Sequence, residues 1–238
     1  MPFRTALLNL AITFMLLLLV VLVGVIMRGR QETPTAAVKI PVAGVPGVTK
    51  ADEGGMPKSP TAKFEILTSP ALVESASNEA DTLRIRHGND EYVFVLYYVD
   101  ALETTMDHPQ RVAEQGRWFE AEEKDIISTG QDAALYVSKL LKENHFNVLT
   151  RWERVPNTVR YYAVILVQQP QGPVYLADLL MRYGYARVGS VMTELPDDRR
   201  DQATYLAELK RLDEKARTGK AGIWAKSKSI PVPSAGSR

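Results

Sequence analysis

The chain has 238 residues, with 29 Lys plus Arg against 28 Asp plus Glu, and no cysteine. Disulfides, thiolate metal sites and a cysteine nucleophile are therefore excluded. Its three histidines, His87, His108 and His145, lack the spacing of a histidine zinc site, and the length suits one domain of ~150 residues with appendages.

Between Arg4 and Arg28 lie 23 residues without a charge, TALLNLAITFMLLLLVVLVGVIM. As a helix they span ~34 Å, enough to cross a hydrocarbon core of ~30 Å. The run closes on Val25-Ile26-Met27-Arg28 with no small-residue cleavage site. Residues 1–30 are thus expected to carry an uncleaved anchor, with residues 5–27 in the lipid bilayer. Arg28, Arg30 and Lys39 on one side against Arg4 on the other lean toward a cytoplasmic body. Short N-terminal anchors commonly export the domain attached to them, and a single-pass protein with an extracytoplasmic body is the expectation adopted. Residues 31–62 hold Pro34, Pro41, Pro46, Pro57 and Pro60, with Gly44, Gly47, Gly54 and Gly55 between them. With no helical or strand period, they are expected to form a flexible linker.

The body, residues 63–226, begins with short strands. KFEILT (63–68) alternates weakly, and TLRIRH (82–87) alternates well, with Leu83 and Ile85 on one face and Arg84 and Arg86 on the other. Gly88-Asn89 turns the chain into EYVFVLYYV (91–99), whose β-branched and aromatic run predicts a strand buried on both faces. Asp100 follows at once, then Glu103 three residues later. Two carboxylates at the end of one strand repel in a poorly solvated cleft, and a hard cation with oxygen ligands is one reason to hold them together. The plainer alternative is a polar turn in which Asp100 caps its own amides.

Residues 110–127 are helix-prone, and GQDAALYVSKLLKEN (130–144) sets Ala133, Ala134, Val137, Leu140 and Leu141 on one helical stripe. Strands return with FNVLTRWERV (146–155) and TVRYYAVILV (158–167), joined at Pro156-Asn157. PVYLADLLMRYGYARV (173–188) predicts a short strand, a helix stopped near Gly184 and an extended exit. A final helix is expected after Pro196, capped by Asp197, with Leu206, Leu209, Leu212 and Ala216 inward. Gly219 and Gly222 stop it, Ile223-Trp224 tuck back, and residues 227–238 are expected to be a disordered tail. About five short strands with inserted helices fit an α+β fold built on a small closed barrel of the OB type.

Four segments carry a more specific likeness: Asp81-Thr82, VDALET (99–104), VRYYAVIL (159–166) and EKARTGKAGIW (214–224). In order and spacing the body resembles the staphylococcal nuclease (thermonuclease) family over roughly residues 63–226. The segment 111–137 fills the place of that family's loop and first helix, and is longer than usual. The resemblance implies a five-stranded OB-fold barrel with packed helices, acting as a monomer in calcium-dependent cleavage of single-stranded DNA or RNA. It implies Asp81, Asp100 and the Ala101 carbonyl as calcium ligands. Glu103 would orient or deprotonate the attacking water, and Arg160 would contact the scissile phosphate.

The chain departs from the pattern at several positions. Val95 stands where the family has a second phosphate-binding arginine, leaving Arg84 or Arg86 to reach in. Leu102 replaces the proline before Glu103, which loosens that turn, and Ser190 and Met192 replace base-stacking aromatics. Residues 64–226 carry 20 Lys plus Arg against 25 Asp plus Glu, a net −5. That charge withholds the general attraction nucleic-acid binding draws on, unless Arg84, Arg86, Arg151, Arg154 and Arg160 line a local groove. Reduced activity is expected from a catalytic version of this chain. The alternative is a catalytically degenerate OB-type interaction module held at the membrane.

Overall fold

The structure, a computed structural model, describes residues 49–50, 58–196 and 200–228, all within one compact unit spanning Val42–Arg238. The expected anchor, most of the expected linker, the Asp197 cap and the tail beyond residue 228 lie outside the described residues. Among the described residues no helix is long and apolar enough to cross a membrane.

Among the described residues the fold is a mixed α+β arrangement of a sheet and four helices. The main sheet comprises β1 (Thr49–Lys50), β2 (Glu65–Leu67), β3 (Ala71–Leu72), β4 (Thr82–His87), β5 (Asp90–Leu96), β7 (Phe146–Arg154), β8 (Tyr161–Gln169) and β9 (Gly172–Tyr175). Its order is β1-β2-β7-β8-β5-β4-β3, with β9 on the side of β8, and the β5–β8 pairing is parallel. The strands β6 (Val99–Ala101) and β10 (Ala186–Val188) pair separately and antiparallel. Hydrogen bonds order the main strands as an open path. Yet β2 and β3, which pair with β7 and β4 toward opposite ends of it, are separated by only Thr68, Ser69 and Pro70. The sheet therefore curls back on itself, with Ser69 in the left-handed region (φ 56°) at the bend.

The alternation in TLRIRH builds β4 over the expected residues, and Gly88 takes φ 62° in the turn to β5. The adjoining run is not one strand buried on both faces. Burial alternates along β5, and the ladder breaks at Tyr97-Tyr98, where Tyr98 adopts φ 74°. The Tyr97 and Tyr98 amides donate instead to the carbonyls of Ala163 and Val191. Both rings are buried, so a core contact between elements replaces the expected continuation of the strand.

Four helices lie among the described residues: α1 (Pro109–Phe119), α2 (Glu123–Glu143), α3 (Leu176–Arg182) and α4 (Gln202–Thr218). α2 begins before the expected Gly130 and buries Ile126, Ala133, Val137, Leu140 and Leu141. α4 starts later than expected, because Asp201 accepts from the Thr204 amide at 2.7 Å and caps it. Its Leu209, Leu212 and Ala216 face the core. A 3₁₀ turn, Gly222–Ala225, then buries Ile223 and Trp224, with Trp224 edge-on to Phe119 of α1. The end of the expected linker is tied to the sheet: β1 pairs parallel with β2, and the Thr61 amide donates to the Arg151 carbonyl at 2.8 Å.

Candidate active site

A cleft of about 760 Å³ opens beside the strand ends, and Glu79, Asp81, Asp100, Glu103, Arg111, Arg160 and Arg187 line it. Four expected side chains, those of Asp81, Asp100, Glu103 and Arg160, thus meet in one volume. They arrive from three segments. Asp81 stands before β4, where its carbonyl accepts from the Leu96 amide at 2.9 Å. Asp100 lies in β6, directly opposite Arg187 of β10. Glu103 follows in the turn after β6. Arg160 lies just before β8, exposed and outside the apolar strand, and among the described residues it forms no ion pair.

The carboxylates of the cleft fall into two pairs. Glu79 and Asp81 form no ion pair among the described residues. Burial raises Glu79 to about 7, helped by Asp81 and Glu103 and opposed by Arg111 and Arg160. Burial likewise raises Asp81 to about 6, opposed first by the Ala101 N–H, which donates to Oδ2 at 2.8 Å. The Thr82 hydroxyl donates to its other oxygen at 3.1 Å.

Asp100 and Glu103 are the other pair, and both are bound by arginine. Arg111 Nη2 donates to Asp100 Oδ1 at 2.7 Å, and its Nε donates to Glu103 Oε1 at 2.5 Å. Arg187 Nε takes the other Asp100 oxygen at 2.8 Å and Nη2 reaches Glu114 at 2.8 Å. Burial works against the charge of Arg111, but Glu103 and Asp100 outweigh it and hold the guanidinium above its ordinary range.

Helix α1 explains why Arg111 is there. Pro109 opens the helix, and Val112, Gln115, Gly116 and Phe119 are buried on its core side. Arg111, Glu114 and Trp118 fall on the adjacent stripe by helical spacing. Arg111 reaches the carboxylates, Glu114 pairs with Arg187, and the Trp118 ring lies 5.3 Å from the Arg187 guanidinium. Neither Arg111 nor Arg187 was expected from the sequence. The usable signal was the register of α1 and the β6–β10 pairing, neither visible as a local motif.

Arg84 and Arg86 pair with Glu91, Arg151 donates to the Thr193 hydroxyl, and Arg154 lies over Tyr161, so the expected arginine groove reduces to Arg160. Val95 lines the cleft as a side chain without charge, and Arg111 and Arg187 supply the cations instead. The turn behind Glu103 is also tighter than Leu102 suggested. Fully buried Gln115 accepts from the Glu103 amide at 3.0 Å and donates to the Ala101 carbonyl at 2.8 Å. That bond directs the Ala101 carbonyl to α1, and Ala101 is not among the cleft-lining residues. Gly130 of α2 lets the turn sit against the helix, since a Cβ there would strike the Glu103 carbonyl oxygen. Similarly, a Cβ on Gly189 would come 2.6 Å from that of Asp100.

Among the described residues no three His, Cys, Asp or Glu side chains are grouped to hold a metal. The position between Asp100 and Glu103 is nonetheless a place for positive charge, because a guanidinium occupies it. In donor chemistry, the carboxylates suit a hard cation such as calcium. In arrangement, their facing oxygens already belong to Arg111. No family model matches the chain, and no curated protein matches it.

Proposed function

We propose that this chain is a membrane-anchored phosphodiester hydrolase of the staphylococcal nuclease type, cleaving single-stranded DNA or RNA with reduced activity. The observation that carries the proposal is the meeting of Asp81, Asp100 and Glu103 with Arg160 in one cleft. Three buried or half-buried carboxylates beside an exposed arginine suit an anionic substrate whose charge shifts during reaction. Arg160 is the group for the phosphate, since it forms no ion pair among the described residues. Glu103, held by Gln115 through its backbone, is the group to orient or deprotonate water.

Calcium is the proposed cofactor, held by Asp81 and Asp100 with Glu103 beside them, and when bound it would polarise the phosphoryl oxygen and offset growing negative charge. The scaffold proposed is the five-stranded OB barrel. It is supported by the parallel β5–β8 pairing and by β2 and β3, near neighbours in sequence on opposite sides of the sheet path. The uncharged run at residues 5–27 supports the anchor, and an extracytoplasmic body and monomeric state complete the proposal.

The test is cleavage of single-stranded DNA and RNA by the full-length chain with calcium, beside Glu103→Gln. A rate at least ~10²-fold above that variant is expected; equal rates would reject hydrolysis at this site. An interaction module is the second possibility, favoured by Val95 and by the commitment of Asp100 to two arginines. Substrate bound with equal affinity by wild type and Glu103→Gln, and not cleaved by either, would establish it.

A further inference from the structure

We infer that Arg111 is an internal cation that competes with calcium for Asp100 and Glu103, so that the site is latched by the chain's own helix α1. The inference rests on the proposed metal-dependent site and adds its regulation. Arg111 spans Asp100, which would hold the ion, and Glu103 beside it, at 2.7 and 2.5 Å, through two different nitrogens. A planar fork between two carboxylates is held more firmly than a single point contact. Two positive charges do not share that position at close range.

The remaining contacts show how the latch opens. Arg111 is 49% exposed in its side chain, whereas Arg187 is 11% exposed. Arg111 therefore leaves by rotating its own side chain into solvent, while Val112, Gln115 and Phe119 keep α1 in place. Its departure releases Asp100 Oδ1 and Glu103 Oε1 together. Asp100 Oδ2 stays with Arg187, so the aspartate remains oriented while one oxygen is exposed. Arg187 is the positioning cation, and Arg111 is the displaceable one. Group by group, the cleft faces of β6, β10 and α1 offer Asp100, Arg187, Arg111 and Glu114 to this position.

The experiment is calcium titration of the full-length chain by calorimetry, repeated on Arg111→Ala and Arg111→Lys, with thermal melting in chelator and in calcium. Calcium is expected to bind Arg111→Ala roughly tenfold or more tightly than wild type, with Arg111→Lys between them. Calcium should also raise the melting temperature of Arg111→Ala by more than that of wild type. Equal affinities in all three proteins would overturn the latch, as would a folded Arg111→Ala that takes no calcium. Should Arg111→Ala fail to fold, Arg111→Lys decides, because loss of the fork alone must raise calcium affinity. Cleavage is scored separately. Calcium uptake gained without cleavage keeps the latch and rejects the hydrolase, whereas calcium-dependent cleavage by wild type, with affinity indifferent to Arg111, does the reverse.

Discussion

Burial makes ionisation costly for both Glu79 and Asp81, with Asp81 adding to the cost at Glu79 and Asp100 adding to the cost at Asp81. A carboxyl raised from 4.5 to about 7 binds more protons folded than unfolded across that interval. Its contribution is favourable at low pH and is lost as pH rises from about 4.5 to about 7. Asp81, raised from 3.8 to about 6, acts in the same sense. Glu79→Gln removes the larger of these costs. In chelator it is expected to match wild type near pH 4.5 and to be more stable at pH 8 by about 1–2 kcal/mol. Denaturant melts at the two pH values measure this, and no difference between them would mean that Glu79 is better solvated than its burial implies. Asp81, Asp100, Glu103 and Arg160 were legible as a set because the short segments around them are distinctive. Arg111 was not, since nothing in RVAEQGRWF distinguishes a cleft-facing arginine from one on a solvated helix face until Val112 and Phe119 are seen to be buried.

Secondary-structure elements position the acidic residues by close approach. α2 meets the turn carrying Glu103 at Gly130, and the residue after β10, Gly189, meets Asp100. Gly130→Ala puts a methyl group into backbone rather than into a flexible side chain, so α2 or the turn must shift. A loss of about 2–3 kcal/mol in stability is expected, with a fall in any Glu103-dependent rate. Chemical denaturation of the variant checks the first part, and a cost below about 0.5 kcal/mol would contradict the packing. At this scale the alternating β4 and the Gly88-Asn89 turn were readable directly, because local side-chain pattern and turn chemistry determine them. The break at Tyr97-Tyr98 was not. Val and Tyr are strand formers wherever they stand, and only the Ala163 and Val191 carbonyls, distant in sequence, draw these amides out of register. The α4 cap is Asp201 and not the expected Asp197, since Asp201 accepts from the Thr204 amide and sequence alone ranks neighbouring aspartates equally as caps.

Across the whole body, net charge opposes a polyanion while the cleft favours a single phosphate. The −5 balance over residues 64–226 gives no broad attraction, and Arg84, Arg86, Arg151 and Arg154 are engaged away from the cleft. Binding should therefore rest on few contacts, with Arg160 foremost, rather than on an extended basic track. The α+β class was implied by strand number and spacing, whereas the eight strands of the main sheet and the separate β6–β10 pair were not. The identity of the cations inside the cleft depended on pairings between β6, β10 and α1, which no single segment encodes. The most direct test is calorimetric titration of the full-length chain with a nucleoside 3′,5′-bisphosphate, wild type beside Arg160→Ala. Saturable binding by wild type, weakened roughly tenfold or more in the variant, is expected for one charge-assisted phosphate contact. Equal affinity in the two proteins, or no binding by either, would contradict a phosphodiester site built on Arg160.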